Sequence, residues 1–491
     1  MLSTALLAAG AAAQSSIAGA SCSPTLSASY AAPSVADGYV ARLVANNLTS
    51  PRGIKFDSQG ALLVVERGHG ITALTLVDAG RDCLSVGNRR TVVNDSSLNH
   101  GIELELSSRG STLYASSSDL LYSWDYSPMQ QTNTSEPRTL IGNMAGTDHT
   151  TRTLLWSKHA PGMMVVTRGS TSNLDAEASD INSGHSQVKA FNLTSINSTL
   201  DYNSDGVLLG WGLRNEVGID EDPVTGAIYG VENSVDQMTR EGKDIHENNP
   251  GEELNFLGYL NGTRVSSEGG NFGYPECYSA WDPSTIPDFS GEVGQQFAIG
   301  DLNSTVNDTV CAQRVAPRLT FQAHMAPLDI LFNEQGTAAW VTFHGSWNRD
   351  NPAGYKVSVV EFENGEPTQP SNSTTAAVDI VSNADNSKCP DSCFRPVGLA
   401  WDNQGRLFMS SDSTGEIYAI LRADGNSTQS VGSNATGTIP GQAEANSTSG
   451  SGSGSGSESS SSSSPANGAI GNDAGSMSAL AVIFAALAFW L

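Results

Sequence analysis

The sequence predicts an all-β protein, a six-bladed β-propeller, and three observations carry that prediction. A hairpin of two apolar strands around a polar Asp/Asn/Gly turn recurs six times along the chain. Further strand-like pieces such as residues 72–77 and 188–191 lie between the copies, which gives about four strands per repeat. Helical apolar periodicity is scarce, whereas glycine is plentiful, at 50 of 491 residues. A chain of this length could hold two or three average domains, but a propeller of this size folds as one unit.

The copies span residues 53–66, 101–115, 153–156 with 162–167, 218–231, 328–332 with 338–343, and 398–411. In each, β-branched and aromatic residues flank turn formers, the signature of an antiparallel hairpin. The long interval 233–321 reads as an insertion within one blade rather than a seventh blade. A β-sandwich is the alternative architecture, and the regular repeat argues against it.

The ends of the chain read differently from its middle. Residues 1–20 form an alanine-rich apolar leader ending Ala18-Gly19-Ala20, which predicts a signal peptide with cleavage after Ala20 or Ala13. The propeller is assigned to 21–425. Residues 426–466 are a Gly/Ser/Thr-rich tract that cannot bury a core and is expected to be an extended, glycosylated stalk. Residues 467–491 combine small residues, a polar spacer and a short apolar tail, the pattern of a removable GPI-anchor signal. Asn467 is the preferred attachment residue, with Asn472 and Gly475 as alternates. Sequons at Asn47, Asn192, Asn197, Asn261, Asn303, Asn307, Asn372 and Asn426 fit a secreted glycoprotein held at the cell surface.

A formal net charge of -26 argues against nucleic-acid binding through a broad basic face. The six cysteines, at 22, 83, 277, 311, 389 and 393, suit an oxidising compartment. Cys389 with Cys393 and Cys277 with Cys311 are the expected local bridges, although six cysteines allow about 15 connectivities. No CxxC or CxxCH occurs, so zinc-ribbon and c-type haem readings fall.

Hairpin geometry locates a site. The start of a first strand and the end of the second lie on the same side, because the chain reverses between them. The starts offer Arg52, His100, Arg152, Arg214 with Asn215, His324 and Arg395; the ends offer Arg67 with His69, Arg168, Asn233 and His344. In a propeller these positions converge on one mouth of the central channel. An acidic protein that gathers arginine and histidine there is expected to hold an anionic ligand. A lone arginine at a strand end is more often a surface residue and a lone histidine more often structural, so the convergence carries the inference. His149 and His185 are assigned to loops or structure.

The motifs His344-Gly-Ser-Trp-Asn-Arg349 with Gly354-Tyr-Lys-Val357, Gly212-Leu-Arg-Asn215, Ser172-Asn-Leu-Asp175, Ala323–Leu328 and Arg395-Pro-Val-Gly398 resemble the glucose/sorbosone dehydrogenase family. Within it the sequence looks closest to secreted fungal pyranose dehydrogenases that depend on pyrroloquinoline quinone (PQQ). The resemblance covers roughly residues 35–422 and implies a six-bladed propeller with PQQ and calcium as cofactors. It implies His100 as the catalytic base and Arg214 as a second catalytic residue hydrogen-bonding the quinone oxygen. Arg67, Arg214, Asn215, His344, Trp347, Asn348, Arg349, Lys356 and Arg395 are the implied cofactor-binding set, with Trp347 as a flat apolar wall. The carbonyls of Ser234 and Val235 are the implied calcium ligands, with Glu232 and Asp236 as supports. The residue chemistry agrees, since a planar tricarboxylate calls for guanidinium forks and hydroxyl oxidation for a base.

Glu216 follows Asn215 where bacterial relatives often have proline, and which cation replaces their PQQ-contacting lysine stays open among Lys356, Arg349 and neither. The implied activity is oxidation of a pyranose, aldose or related keto-sugar at C1. Electrons would pass to a separate acceptor (a cytochrome, quinone or copper oxidoreductase) from a monomer tethered through its GPI lipid. The competing readings are a calcium-dependent propeller lactonase, which needs Asp, Glu and Asn around its metal, and a non-catalytic glycan-binding propeller of the cell wall. A flavin or nicotinamide enzyme is disfavoured, because no GxGxxG follows a strand and opens a helix.

Overall fold

The computed structural model describes residues 26–80, 83–107 and 110–430, and within them six sheets stand around one axis. Blade 1 is Pro51–Phe56, Ala61–Glu66, Gly70–Asp78 and Leu84–Val93, in that order from the axis outward. Blade 2 begins with Leu98–Ser107 and Gly110–Ser117, blade 3 with Leu154–Trp156 and Met163–Arg168. Blades 4, 5 and 6 open with Glu216–Glu221, Pro327–Phe332 and Pro396–Trp401, each followed by its antiparallel partner. The six repeated hairpins are therefore the inner halves of six blades. Their first strands neighbour one another in sequence order, and the sixth returns to the first.

Blade 6 closes the ring by borrowing from the other end of the chain. Tyr39–Ala45 adds to Glu416–Arg422 as its outermost strand, with Tyr39 opposite Arg422. Ser34–Val35 likewise extends the edge of blade 5 beside Ala377–Ser382. This closure ties the first and last blades together without a covalent bond.

The second strand of each hairpin shows why the sequence reads as unbroken apolar runs. Ala61–Glu66, Ala227–Glu232 and Ala338–Phe343 are buried at every residue, because each is covered by a blade on both faces. Alternate side chains go opposite ways. Leu62 and Val64 pack with Phe408 and Ala419 of blade 6, whereas Leu63 and Val65 pack with Leu113 and Ala115 of blade 2. Six such clusters, one per interface, make up the ring's core. The glycine that opens four copies serves close approach at the axis. A Cβ on Gly53 would lie 2.3 Å from the His100 carbonyl oxygen, and one on Gly101 2.2 Å from that of Arg152.

The interval 233–321 contains no blade of its own. It supplies Glu252–Tyr259 and Leu319–Phe321, the two outer strands of blade 4, and two small antiparallel ribbons between and before them. The ribbon formed by Cys277–Ser279 and Gln296–Ala298 is fastened by the Cys277–Cys311 disulfide, and Cys389–Cys393 closes a tight loop before blade 6. The leader, Cys22, residues 431–466 of the stalk and the GPI-signal residues lie outside the described residues. Among the described residues no helix is long and apolar enough to cross a membrane.

Candidate functional site

Two polar clusters form at the mouth where first strands begin and second strands end. The first is built on Asp412, which follows the second strand of blade 6. Its carboxylate accepts from Arg52 Nη1 at 2.6 Å and from His344 Nε2 at 2.8 Å. Arg52, 0% exposed, begins blade 1 and also donates through Nε to His100 Nδ1 at 3.3 Å. Arg395 donates to the carbonyls of His344 (3.1 Å) and Gly345 (2.7 Å) and lies over the Tyr355 ring.

The electrostatics of this cluster are lopsided. Arg67, at the end of the second strand of blade 1, has its guanidinium pKa lowered by burial and by the charge of Arg52. Burial opposes ionisation of Asp412, yet the adjacent His344 and Arg52 hold its carboxyl far below the usual range. Burial and neighbouring arginines push His344 down to about 4 and His100 well below an ordinary imidazole, so both rings are neutral near pH 7. Three guanidiniums against one carboxylate leave a local excess of +2, in a chain of net charge -26. Arg52 Nη2 and His344 Nδ1 are buried without a partner. Orphaned donors and acceptors of this kind carry a desolvation cost until a ligand satisfies them.

The second cluster surrounds Arg214. All five of its N–H groups are engaged: Nε with the Asn173 carbonyl (3.2 Å), Nη1 with the carbonyls of Asn233 (3.2 Å) and Ser234 (2.6 Å), and Nη2 with Asn173 Oδ1 (2.7 Å) and Asp236 Oδ2 (2.8 Å). Its own backbone N–H donates to Glu232 Oε1 at 2.6 Å. Glu232 shares Asn255 with Glu216, so the glutamate that stands in place of proline is a buried member of this scaffold. Asn215 is buried, with Oδ1 lacking a partner. Asn348 reaches from blade 5, donating to the Asp236 carbonyl and to His324 Nδ1.

The structure thus brings Arg67, His100, His344 and Arg395 together around Arg52 and Asp412, and Asn215 and Asn348 beside Arg214. Trp347 stands at the rim, 52% exposed, free to offer a flat face. Arg349 and Lys356 are not drawn in. Arg349 is tied to the carbonyls of Glu247 and Asn351, and Lys356 pairs with Asp379 inside blade 5 at 2.8 Å. Of the expected calcium ligands, the Ser234 carbonyl already accepts from the Arg214 guanidinium, as does the carboxylate of the supporting Asp236.

Strand-end reasoning missed Asp412 because it searched for cations, although the same rule, applied to the sixth copy, points one residue past Ser411. It also overvalued Arg152 and Arg168. Arg152 donates to the carbonyls of Met144, His149 and Thr151, and Arg168 to Asn203 and Ala145, so both hold loops. His149 and His185 bond Ser170 and Asp175.

The donor set suits a flat polyanion. Guanidinium forks match carboxylates, neutral imidazoles offer proton acceptors, and an exposed indole offers a wall. Among the described residues no group of three His, Cys, Asp or Glu side chains could hold a metal, a set that does not include the backbone carbonyls implied as calcium ligands.

Fold and site together define a class: six-bladed propellers that seat a small anionic ligand over the mouth of the central channel. Comparison with known proteins narrows this, and the chain belongs to the TrAA12-like family, whose model matches residues 33–423. It is 48% identical over 394 residues to a pyrroloquinoline quinone-dependent sugar dehydrogenase of Hypocrea jecorina, covering 78% of this chain and 88% of that one. A pyrroloquinoline quinone-dependent pyranose dehydrogenase of Coprinopsis cinerea is 39% identical over 401 residues, 78% of this chain and 53% of that longer protein. The calcium structure of the Trichoderma reesei member of carbohydrate-active enzyme family AA12 superposes with a TM-score of 0.78 at 47% identity, over 82% of this chain and 100% of that one. The holo PQQ domain of the Coprinopsis cinerea pyranose dehydrogenase superposes with a TM-score of 0.75 at 38% identity, over 82% and 99% of the two chains.

Proposed function

We propose that this protein is a PQQ-dependent sugar dehydrogenase that oxidises a pyranose at C1 and hands the electrons to a separate acceptor. The observation that carries the reading is the surplus of guanidinium around Asp412 at the mouth of an otherwise acidic propeller. The names of the relatives agree with it. Arg52, Arg67 and Arg395 would hold the cofactor's carboxylates, Trp347 would cover its plane, and Asn215 and Asn348 would fix its orientation. When bound, the quinone supplies the hydride acceptor.

The chain's own residues handle the proton. Arginine can only donate, so its contact to Nδ1 leaves the His100 proton on Nε2. The contact is long, and a ligand carboxylate that draws Arg52 away exposes Nδ1 as the atom that takes the C1 hydroxyl proton. Burial keeps that ring neutral and ready to accept. Arg214 would stabilise developing negative charge, which requires it to exchange one of its five present contacts for the ligand. Calcium, the second expected group, would compete with Arg214 for Ser234 and Asp236. Their oxygens are of the hard type calcium selects. We further propose a secreted protein linked to the cell surface through GPI, which phosphatidylinositol-specific phospholipase would release; persistent membrane association after that treatment would rule the anchor out.

The test is a titration of the secreted, calcium-loaded apoprotein with PQQ, followed by a panel of pyranoses and an artificial acceptor. Tight binding with sugar-dependent bleaching of the quinone is expected. Absence of binding would overturn the assignment and leave only the fold.

A further inference from the structure

Below the cationic mouth the first strands enclose a cavity of about 60 Å³, lined among others by His100, Lys55, Glu103, Asp220 and Asp329. At roughly 10–15 Å³ of such volume per water molecule, it has room for roughly four. Eight aliphatic residues also line it, so the charged groups stand together in largely apolar surroundings. Lys55 pairs with Glu103 at 2.8 Å. Asp220 accepts from the backbone N–H of Phe332 and Glu221, and Asp329 from those of Leu399 and Ile330, at 2.7–2.9 Å. His100 lies at the mouth end. Lys55 lies three residues further along its strand than Arg52, roughly 10 Å deeper, and its side chain is 38% exposed, so the cavity reaches solvent on that side.

We propose that this channel is the proton outlet of the oxidation, carrying protons from His100 through Asp329, Asp220 and Glu103 and their waters to the opening at Lys55. The inference rests on the dehydrogenase reading above. Conversion of a C1 hemiacetal to a lactone breaks the C1–H and O–H bonds. The hydride leaves with the electron pair to the bound quinone, and the hydroxyl proton goes to His100 Nδ1. An acceptor that takes electrons one at a time then removes two electrons and no hydrogen, so two protons must be released per sugar. With cofactor and sugar seated over the mouth, the imidazole has its other nitrogen to give from. A proton gained at Nδ1 makes the Nε2 proton acidic; its release leaves the neutral Nδ1–H tautomer, and water-mediated transfer of that proton from Nδ1 to Nε2 restores the starting form.

The groups facing the relay set its working range. Burial pushes Asp329 up to about 7 and raises Asp220, with Lys55 opposing both; Glu103 is held by Lys55, whose ammonium stays charged beside it. A carboxyl that titrates near neutrality gives and takes protons with little bias, which suits a relay.

The experiment uses the holoprotein, ferricyanide as acceptor, the fastest-oxidised pyranose of the panel, and a pH indicator in stopped flow. Asp329→Asn and Glu103→Gln should slow proton release so that it lags quinone bleaching, lower kcat about tenfold with KM unchanged, and raise the solvent isotope effect. Asp329→Glu should restore all three. The wild-type apoprotein should show infrared carboxyl absorption titrating near pH 7, to which the buried Glu252 and Glu253 also contribute, and Asp329→Asn should remove one component of it. Proton release that keeps pace with bleaching in both neutral variants, or carboxyl absorption between pH 6 and 8 that is identical in wild type and Asp329→Asn, overturns the outlet. Failure of the wild type to bleach would instead overturn the dehydrogenase reading.

Discussion

Asp412→Asn should move stability and ligand affinity in opposite directions, and the structure says by how much. Asparagine keeps the shape and can still accept from Arg52, but the only carboxylate of the cluster is gone. Arg52 is 0% exposed and its pair with Asp412 is 2.6 Å long. Breaking a buried pair by removing one charge costs about 3–5 kcal/mol. For a propeller of roughly 400 residues the unfolding entropy is about 0.8 kcal/mol/K, so the apoprotein should melt roughly 4–6 °C lower. The local charge meanwhile rises from +2 to +3. One more elementary charge within about 8 Å of a ligand carboxylate is worth roughly 2 kcal/mol at an effective dielectric of 20, about thirtyfold in affinity. Thermal melts of wild type and variant, each with and without PQQ, read both effects. The variant should start lower and gain more on binding. A lower melting temperature with weaker PQQ binding would show Asp412 to be a ligand-positioning group rather than the counterion of an anion site, and an unchanged apoprotein would refute the electrostatic account altogether.

The other expectations are simpler. His100→Ala should lower sugar oxidation by roughly 10²–10⁴ while PQQ still binds; retained turnover would remove it as the base. Arg214→Ala should weaken PQQ binding and turnover together, and a loss of thermal stability with normal PQQ affinity would leave it purely structural. Lys356→Met should leave PQQ affinity within about twofold, because the ammonium is already paired with Asp379; a tenfold loss would restore it as a cofactor contact. Acid should destabilise the apoprotein through its buried neutral histidines. His344 has its pKa depressed from 6.5 to about 4, so between those values the unfolded chain binds a proton the folded chain does not. Stability therefore falls as pH drops through this window, by about 2 kcal/mol at pH 5 from this residue alone. Denaturant melts of His344→Gln at pH 7 and pH 5 should show a correspondingly smaller loss.

Six hairpins were legible because each blade's second strand is covered on both faces and so leaves an unbroken apolar run between polar turns. The mouth was legible for the same reason: once the hairpins are placed, chain reversal puts Arg52, His100, Arg395 and His344 on one side. Strand order alone could not say which of these side chains face the axis. Arg152 and Arg168 sit at equivalent positions, yet their guanidiniums turn into loops whose carbonyls no strand partner satisfies. That demand comes from loop 144–151 and from Ser183 and Asn203, and it is invisible in a strand pattern. Asp412 was hidden by its sign, since a search for cations passes over the one anion that organises them. The resemblance carried His344 and Arg395 into the set through HGSWNR and RPVG, but it also carried Arg349 from HGSWNR and Lys356 from GYKV, which lie beside the site with partners of their own. What distinguishes the first pair from the second is the field of Asp412. A single carboxylate bonded to Arg52 and His344, with Arg67 and Arg395 in its field, fixes the cluster in the absence of ligand and still leaves it positive. An anionic ligand then completes a charge balance that the fold alone leaves unfinished.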